Sequence, residues 1–192
     1  MVLGPNNNLS TIGEYITGLD DTKNYKASED GNFVRTAQGK TGKISRFFRQ
    51  NFGGDSVRNQ NQRTMDLMAR ELSQKYGQGV LRSDVVQNRM TEMVESGRIL
   101  KGRDIKALAT LASQTARTTY ENASLAVYGS LDMCLAQDPV NAMQLLAALK
   151  GAMPEGLSAG MQDRIMFAAI QRLDATKVQK LLTAMNSQGM AD

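Results

Sequence analysis

Histidine and tryptophan are absent from the 192 residues, and there is a single cysteine, Cys134. Without histidine there is no Ser-His-Asp or Cys-His nucleophile, no imidazole acid–base catalysis and almost none of the usual zinc sites. One thiol makes no internal disulfide and no cysteine cluster. Aromatic residues are only 5% and prolines number three. No apolar run approaches the roughly 18 residues that span a bilayer. Residues Met1 to Asn8 have neither the basic nor the apolar region of a secretory signal peptide, and Gly4 is not placed for myristoylation. Chemistry is left to carboxylates, Lys, Arg, Tyr and hydroxyls, so a self-contained hydrolase is disfavoured. No metal and no cofactor are expected.

What is present is ordinary for a globular chain: 41% hydrophobic and 22% charged residues. A chain of this length buries roughly 70% of its unfolded surface, enough for a core. The net charge is +4, and it is local. Residues 40–63 hold Lys40, Lys43, Arg46, Arg49, Arg58 and Arg63 against Asp55, a net +5 that leaves −1 for the rest.

Residues 1–42 read as a mostly disordered polar arm, with isolated apolar residues and one short helix around Ser10 to Leu19. Gly39-Lys40-Thr41 resembles the end of a phosphate loop, but Val34 stands where the first glycine is needed. From Lys43 to Phe52, Ile44, Phe47 and Phe48 recur at helical spacing beside Lys43, Arg46 and Arg49. This basic amphipathic helix is either a first core helix or a contact for anionic lipid or nucleic acid.

Residues 43–192 are expected to form one domain, an all-α bundle of five to seven helices without strands. Met65, Met68, Leu72 and Tyr76 form one stripe, ended by Gly77. Val85, Val86, Met90, Met93 and Val94 form the next, closed by Gly97. Asp104 caps a helix through Ile105, Leu108, Leu111, Ala112 and Ala116, extending with a bend through Leu125, Val127, Leu131 and Leu135. Asp138-Pro139 reads as a helix start, with Val140, Met143, Leu145, Leu146 and Leu149 inside. Ser158 opens another helix, and Asp174 opens the last, with Val178, Leu181, Leu182 and Met185. Asp138, Leu145, Leu146, Ala148 and Leu149 echo Asp174, Leu181, Leu182, Ala184 and Met185 at an offset of 36. The twelve methionines suit core filling or an adaptable partner groove. Cys134 reads as a buried small hydrophobe. The charges from Glu92 to Lys106 read as a solvated face.

One segment has unusual local grammar: Tyr76-Gly77-Gln78-Gly79-Val80-Leu81-Arg82-Ser83-Asp84. Two glycines between helices allow a tight turn with positive φ. Arg82 falls at the first turn of the following helix, where a cation opposes the dipole. It is either paired with Asp84 or Glu71 in an ordinary loop, or projected toward another protein.

Gly77-Gln78-Gly79-Val80-Leu81-Arg82-Ser83 resembles the Gly-x-Gly-x-Leu-Arg-Ser motif of type III secreted bacterial GTPase-activating effectors for Rho proteins, the family of exoenzyme S and outer protein E. The resemblance covers these seven residues. It implies an all-helical domain in which Arg82 is an arginine finger. Gly77, Gly79 and Leu81 would shape the turn, and Ser83 would begin the next helix. It also implies a host Rho-family small GTPase as partner. The polar N-terminal arm fits a type III export signal, a secretion chaperone's site, and passage from the bacterial cytoplasm into a host cell. The alternative is a non-catalytic helical interaction module, an adaptor or scaffold. A lipid or nucleic-acid binder acting through residues 40–63 ranks third, because the basic segment is short and the rest neutral.

Overall fold

A computed structural model describes residues 16–29, 31–36 and 54–189. The expected basic helix over 43–52, with Lys43, Arg46 and Arg49, lies outside the described residues, as do Gly39–Thr41 and most of the helix expected near Ser10. Among the described residues the chain is all-α apart from two short strands: β1 (Tyr25–Ala27), β2 (Phe33–Arg35), α1 (Gly54–Tyr76), α2 (Gln78–Leu81), α3 (Asp84–Glu95), α4 (Gly102–Leu135), α5 (Ala142–Ala152), α6 (Ala159–Ile170) and α7 (Ala175–Gly189). The chain divides into two compact units. One combines Met1–Lys75 with Leu81–Gln114; the other combines Tyr76–Val80 with Thr115–Asp192. α4 is unbroken, about 51 Å of helix at 1.5 Å per residue, and gives residues 102–114 to the first unit and 115–135 to the second.

In the first unit, Met65, Met68, Leu72 and Tyr76 of α1 are buried as their spacing predicts, except that Tyr76 itself falls to the second unit. Both strands lie within the 1–42 arm expected to be mostly disordered, and correct that expectation for residues 25–27 and 33–35. β1 and β2 pair antiparallel, Tyr25 opposite Arg35 and Ala27 opposite Phe33. Ile16, Leu19, Tyr25 and Phe33 are all buried. These residues are too isolated in sequence to make a core by themselves, and hydrogen bonds tie their segment to the rest of the unit. The Tyr25 amide donates to the Leu100 carbonyl at 2.9 Å, Gly102 N–H to the Lys23 carbonyl at 3.0 Å, and Ala27 N–H to the Thr64 hydroxyl at 3.2 Å. Lys106 pairs with Asp21 at 2.8 Å.

Two buried polar side chains organise the same unit. Asn61 sits on α1, and its Nδ2 donates to the carbonyls of Met93 at 3.1 Å and Arg98 at 2.9 Å. It thereby satisfies carbonyls left over where α3 ends. The Asp104 carboxylate accepts from both Arg98 guanidinium nitrogens, at 2.7 and 3.0 Å, and from the Lys101 amide at 2.8 Å. The Arg98 hydrogen bonds hold its pKa below the usual carboxylate value, aided by the Lys101 amide and opposed by burial. Arg98 and Lys106, expected on a solvated charge face, are both committed to ion pairs.

In the second unit, Ala116, Ala123, Val127, Leu131 and Leu135 form the buried face of α4. Ser158 and Asp174 start α6 and α7 as expected: the Ser158 side chain accepts from Met161 N–H, and the Asp174 carboxylate from Lys177 N–H. α5 differs. It begins at Ala142, and its cap is Asn141, whose side-chain oxygen accepts from Gln144 N–H at 3.1 Å. Asp138-Pro139 is therefore outside the helix. Lys177 pairs with Asp132, and Lys180 reaches the Leu135 carbonyl at 3.4 Å, so α7 supplies cations to the C-terminus of α4.

Several residues expected in the core are exposed: Val85, Leu125, Met143, Leu146, Leu182 and Met185. Their helices carry apolar stripes wider than the face that the fold covers. Cys134 is half-buried rather than buried.

Candidate functional site

The glycine turn starts where α1 stops. Gly77 has φ +97, a conformation that lets the chain leave the helix after Tyr76. The Tyr76 carbonyl, one of the last of the helix, accepts from the Ser158 amide at 3.2 Å. A Cβ on Gly77 would collide with the Gly156 carbonyl oxygen and the Ser158 amide. Gly79 donates its N–H to the Gly156 carbonyl at 2.8 Å, and a Cβ there would stand 2.6 Å from the Glu155 oxygen. Gly156 has φ +72. Segments 76–80 and 155–158 thus cross backbone to backbone within the second unit, and Gly77 and Gly79 each remove a clash.

The first unit resumes at Leu81, which is buried. Its carbonyl accepts from the Gln87 side-chain amide at 2.6 Å, and Gln87 N–H donates to the Ser83 carbonyl at 3.0 Å. One glutamine on α3 therefore ties down the backbone on both sides of Arg82. Arg82 itself is exposed and has no ion pair or hydrogen bond among the described residues. The two expected partners are not engaged with it: Glu71 pairs with Arg70 at 3.3 Å, and Asp84 is exposed. Arg82 also precedes the helix instead of lying in its first turn, since Ser83 is the N-cap of α3 and Asp84 its first helical residue. The dipole penalty expected for a first-turn cation is correspondingly reduced. Ser83 caps by position only. Its hydroxyl is buried and makes no hydrogen bond.

The motif's residues thus divide by role. Gly77 and Gly79 serve backbone packing, Leu81 is an anchor, and Gln78 and Arg82 are left exposed, Arg82 being the charged one. The backbone partner Gly156 was not singled out in the sequence, although Pro154-Glu155-Gly156 is a turn signal. Gln87 gave no signal, because an exposed polar residue on a helix looks like any other. Chemically, Arg82 offers a permanent positive charge and a planar fork of five N–H donors, suited to a phosphoryl or carboxylate group. No group of three acidic or cysteine side chains that could hold a metal occurs among the described residues. No family model, no curated protein and no solved structure matches the chain.

Proposed function

We infer that the chain is an exported bacterial effector that engages a host Rho-family small GTPase and accelerates its GTP hydrolysis with Arg82 as an arginine finger. The observation that carries this reading is the state of Arg82: exposed, without an ionic partner among the described residues, and held between backbone groups that Gln87 anchors. A guanidinium already spent on Glu71 or Asp84 would have to break that pair before reaching a phosphate.

The mechanism asks little else of the chain. The GTPase supplies the magnesium and the residue that orients water. The effector adds one guanidinium to the charge that develops on the transferred phosphoryl, a contribution of roughly 10³ to 10⁵ in rate. That magnitude corresponds to about 4–7 kcal/mol of barrier. A fixed backbone around Arg82 lowers the entropy lost when the finger inserts. The absence of histidine is compatible with this division of labour. Acceleration of GTP hydrolysis by the parent chain across a panel of Rho, Rac and Cdc42-type GTPases tests the reading.

The non-catalytic interaction module is the second reading, and a specific observation favours it. Gly77 and Gly79 are explained by their approach to Gly156 and Ser158, with no GTPase required. Under this reading Arg82 contributes to binding without affecting any reaction rate.

A further inference from the structure

We propose, resting on the arginine-finger reading, that Ser83 is a positioning residue for Arg82. Its hydroxyl, without a partner in the free chain, turns to cap α3 when the finger is engaged and so fixes the backbone on which Arg82 stands. Ser83 Oγ is the one buried side-chain polar atom without a hydrogen-bond partner among the described residues. Buried polar atoms are almost always bonded, so a single exception beside the exposed guanidinium calls for a physical account.

Three other helix starts show what is missing. Asn141, Ser158 and Asp174 each accept from the amide three residues on, at 3.1, 3.3 and 2.9 Å. Ser83 holds the same place ahead of α3 and makes no such bond. Its backbone is not the obstacle. Ser83 has φ −62 and ψ 136, and Ser158 has φ −64 and ψ 152, both extended as a capping residue requires. The first turn of α3 is formed too, since Gln87 N–H donates to the Ser83 carbonyl at 3.0 Å. What separates an idle hydroxyl from a cap is therefore the side-chain torsion, which has three staggered positions. The corresponding donor in α3 is the Val86 amide, one of the first-turn amides that have no intrahelical acceptor.

Two arrangements of one residue give a switch with a defined direction. With the hydroxyl idle, Gln87 alone ties the backbone around Arg82, through the Leu81 and Ser83 carbonyls. With the hydroxyl on the Val86 amide, the Ser83 side chain is tied as well, and the residue that follows Arg82 loses torsional freedom. A guanidinium that meets developing charge in the transition state gains most from a fixed base. Engagement of Arg82 favours the capped arrangement, and the cap favours engagement by the same factor.

Single-turnover GTP hydrolysis by a Rho-family GTPase, measured against the concentration of the full chain and beside thermal melts, tests this. Ser83→Ala should lower the plateau rate roughly 2- to 30-fold, the equivalent of one side-chain cap. The half-saturating concentration should stay nearly unchanged. The melting temperature should not fall, because a buried hydroxyl without a partner does not stabilise the free fold. Ser158→Ala, which removes a cap in use, should melt lower. Ser83→Asn and Ser83→Thr keep a capping oxygen and should retain more of the plateau rate than Ser83→Ala does. A Ser83→Ala chain with the parent's plateau rate, or one that melts as far below the parent as Ser158→Ala, overturns the proposal and leaves the finger reading in place. So does failure of both folded Ser83→Asn and Ser83→Thr chains to exceed Ser83→Ala. A parent chain that accelerates no GTPase overturns the finger reading itself, and this proposal with it.

Discussion

The Gln87 side-chain amide reaches back six residues and donates to the Leu81 carbonyl at 2.6 Å, directly ahead of Arg82. The Gln87 backbone amide meanwhile donates to the Ser83 carbonyl, directly after it. Without the side chain, the Leu81 carbonyl loses this donor and the backbone before Arg82 is tied at one end only. Gln87→Leu should therefore cost about 1 kcal/mol of stability, the net value of a typical hydrogen bond. If Arg82 acts as a finger, the variant should also lower the maximal rate of stimulated GTP hydrolysis while leaving GTPase affinity nearly unchanged. A thermal melt beside a saturation series measures both.

Gly77→Ala should be far more damaging. A non-glycine residue at φ +97 is strained, and its Cβ would meet the Gly156 oxygen and Ser158 amide. The combined strain and overlap should cost at least about 2 kcal/mol. Chemical denaturation should show a lower midpoint. A variant of unchanged stability would mean that the crossing of segments 76–80 and 155–158 is not tight.

Asn61→Ala should destabilise by about 1–3 kcal/mol, because the Met93 and Arg98 carbonyls lose a donor in a buried setting. Asn61 is 1% exposed, and the Ser96 hydroxyl, 2.9 Å from the Met93 carbonyl and 3.1 Å from the Arg98 carbonyl, is left as the shared donor. Hydrogen exchange of the final turn of α3 should accelerate in the variant.

These residues also mark how far the sequence was legible. Helix caps with a local signature were readable: Ser158 and Asp174 both bond the amide three residues on. Asp138-Pro139 carried a stronger textual signal than Asn141, yet Asn141 caps α5, because a proline start is optional and the capping bond is what satisfies the orphan amide. The β1–β2 pair was invisible, since three-residue strands give too few alternations to register. Asn61 and Gln87 were invisible for a different reason. Their roles depend on carbonyls distant in sequence or on a turn geometry that periodicity does not encode. At the candidate site, the two glycines and Arg82 stood out, but the segment that makes the glycines necessary lies almost eighty residues away.

Acid should reveal Asp104. Its folded pKa lies below the ordinary value, chiefly through the Arg98 hydrogen bonds. A depressed carboxylate contributes its stability in full above the unfolded pKa and loses it as pH falls through the folded one. Cooling the comparison to one group, the melting temperature of the parent should fall more steeply below about pH 4 than that of Asp104→Asn. At neutral pH the variant should be the less stable of the two. Parallel curves for both proteins would assign the acid sensitivity to other carboxylates.

The most direct test of the central claim is single-turnover GTP hydrolysis by Rho-family GTPases with the parent chain, Arg82→Ala and Arg82→Lys, each also melted thermally. Arg82 is exposed and unpaired among the described residues, so Arg82→Ala should leave the melting temperature nearly unchanged. It should remove nearly all of the acceleration. Arg82→Lys should fail almost as completely, because an ammonium cannot reproduce the planar fork of donors. A parent chain that accelerates none of the GTPases, or an Arg82→Ala chain that accelerates as well as the parent, would contradict the account and leave the non-catalytic interaction module in its place.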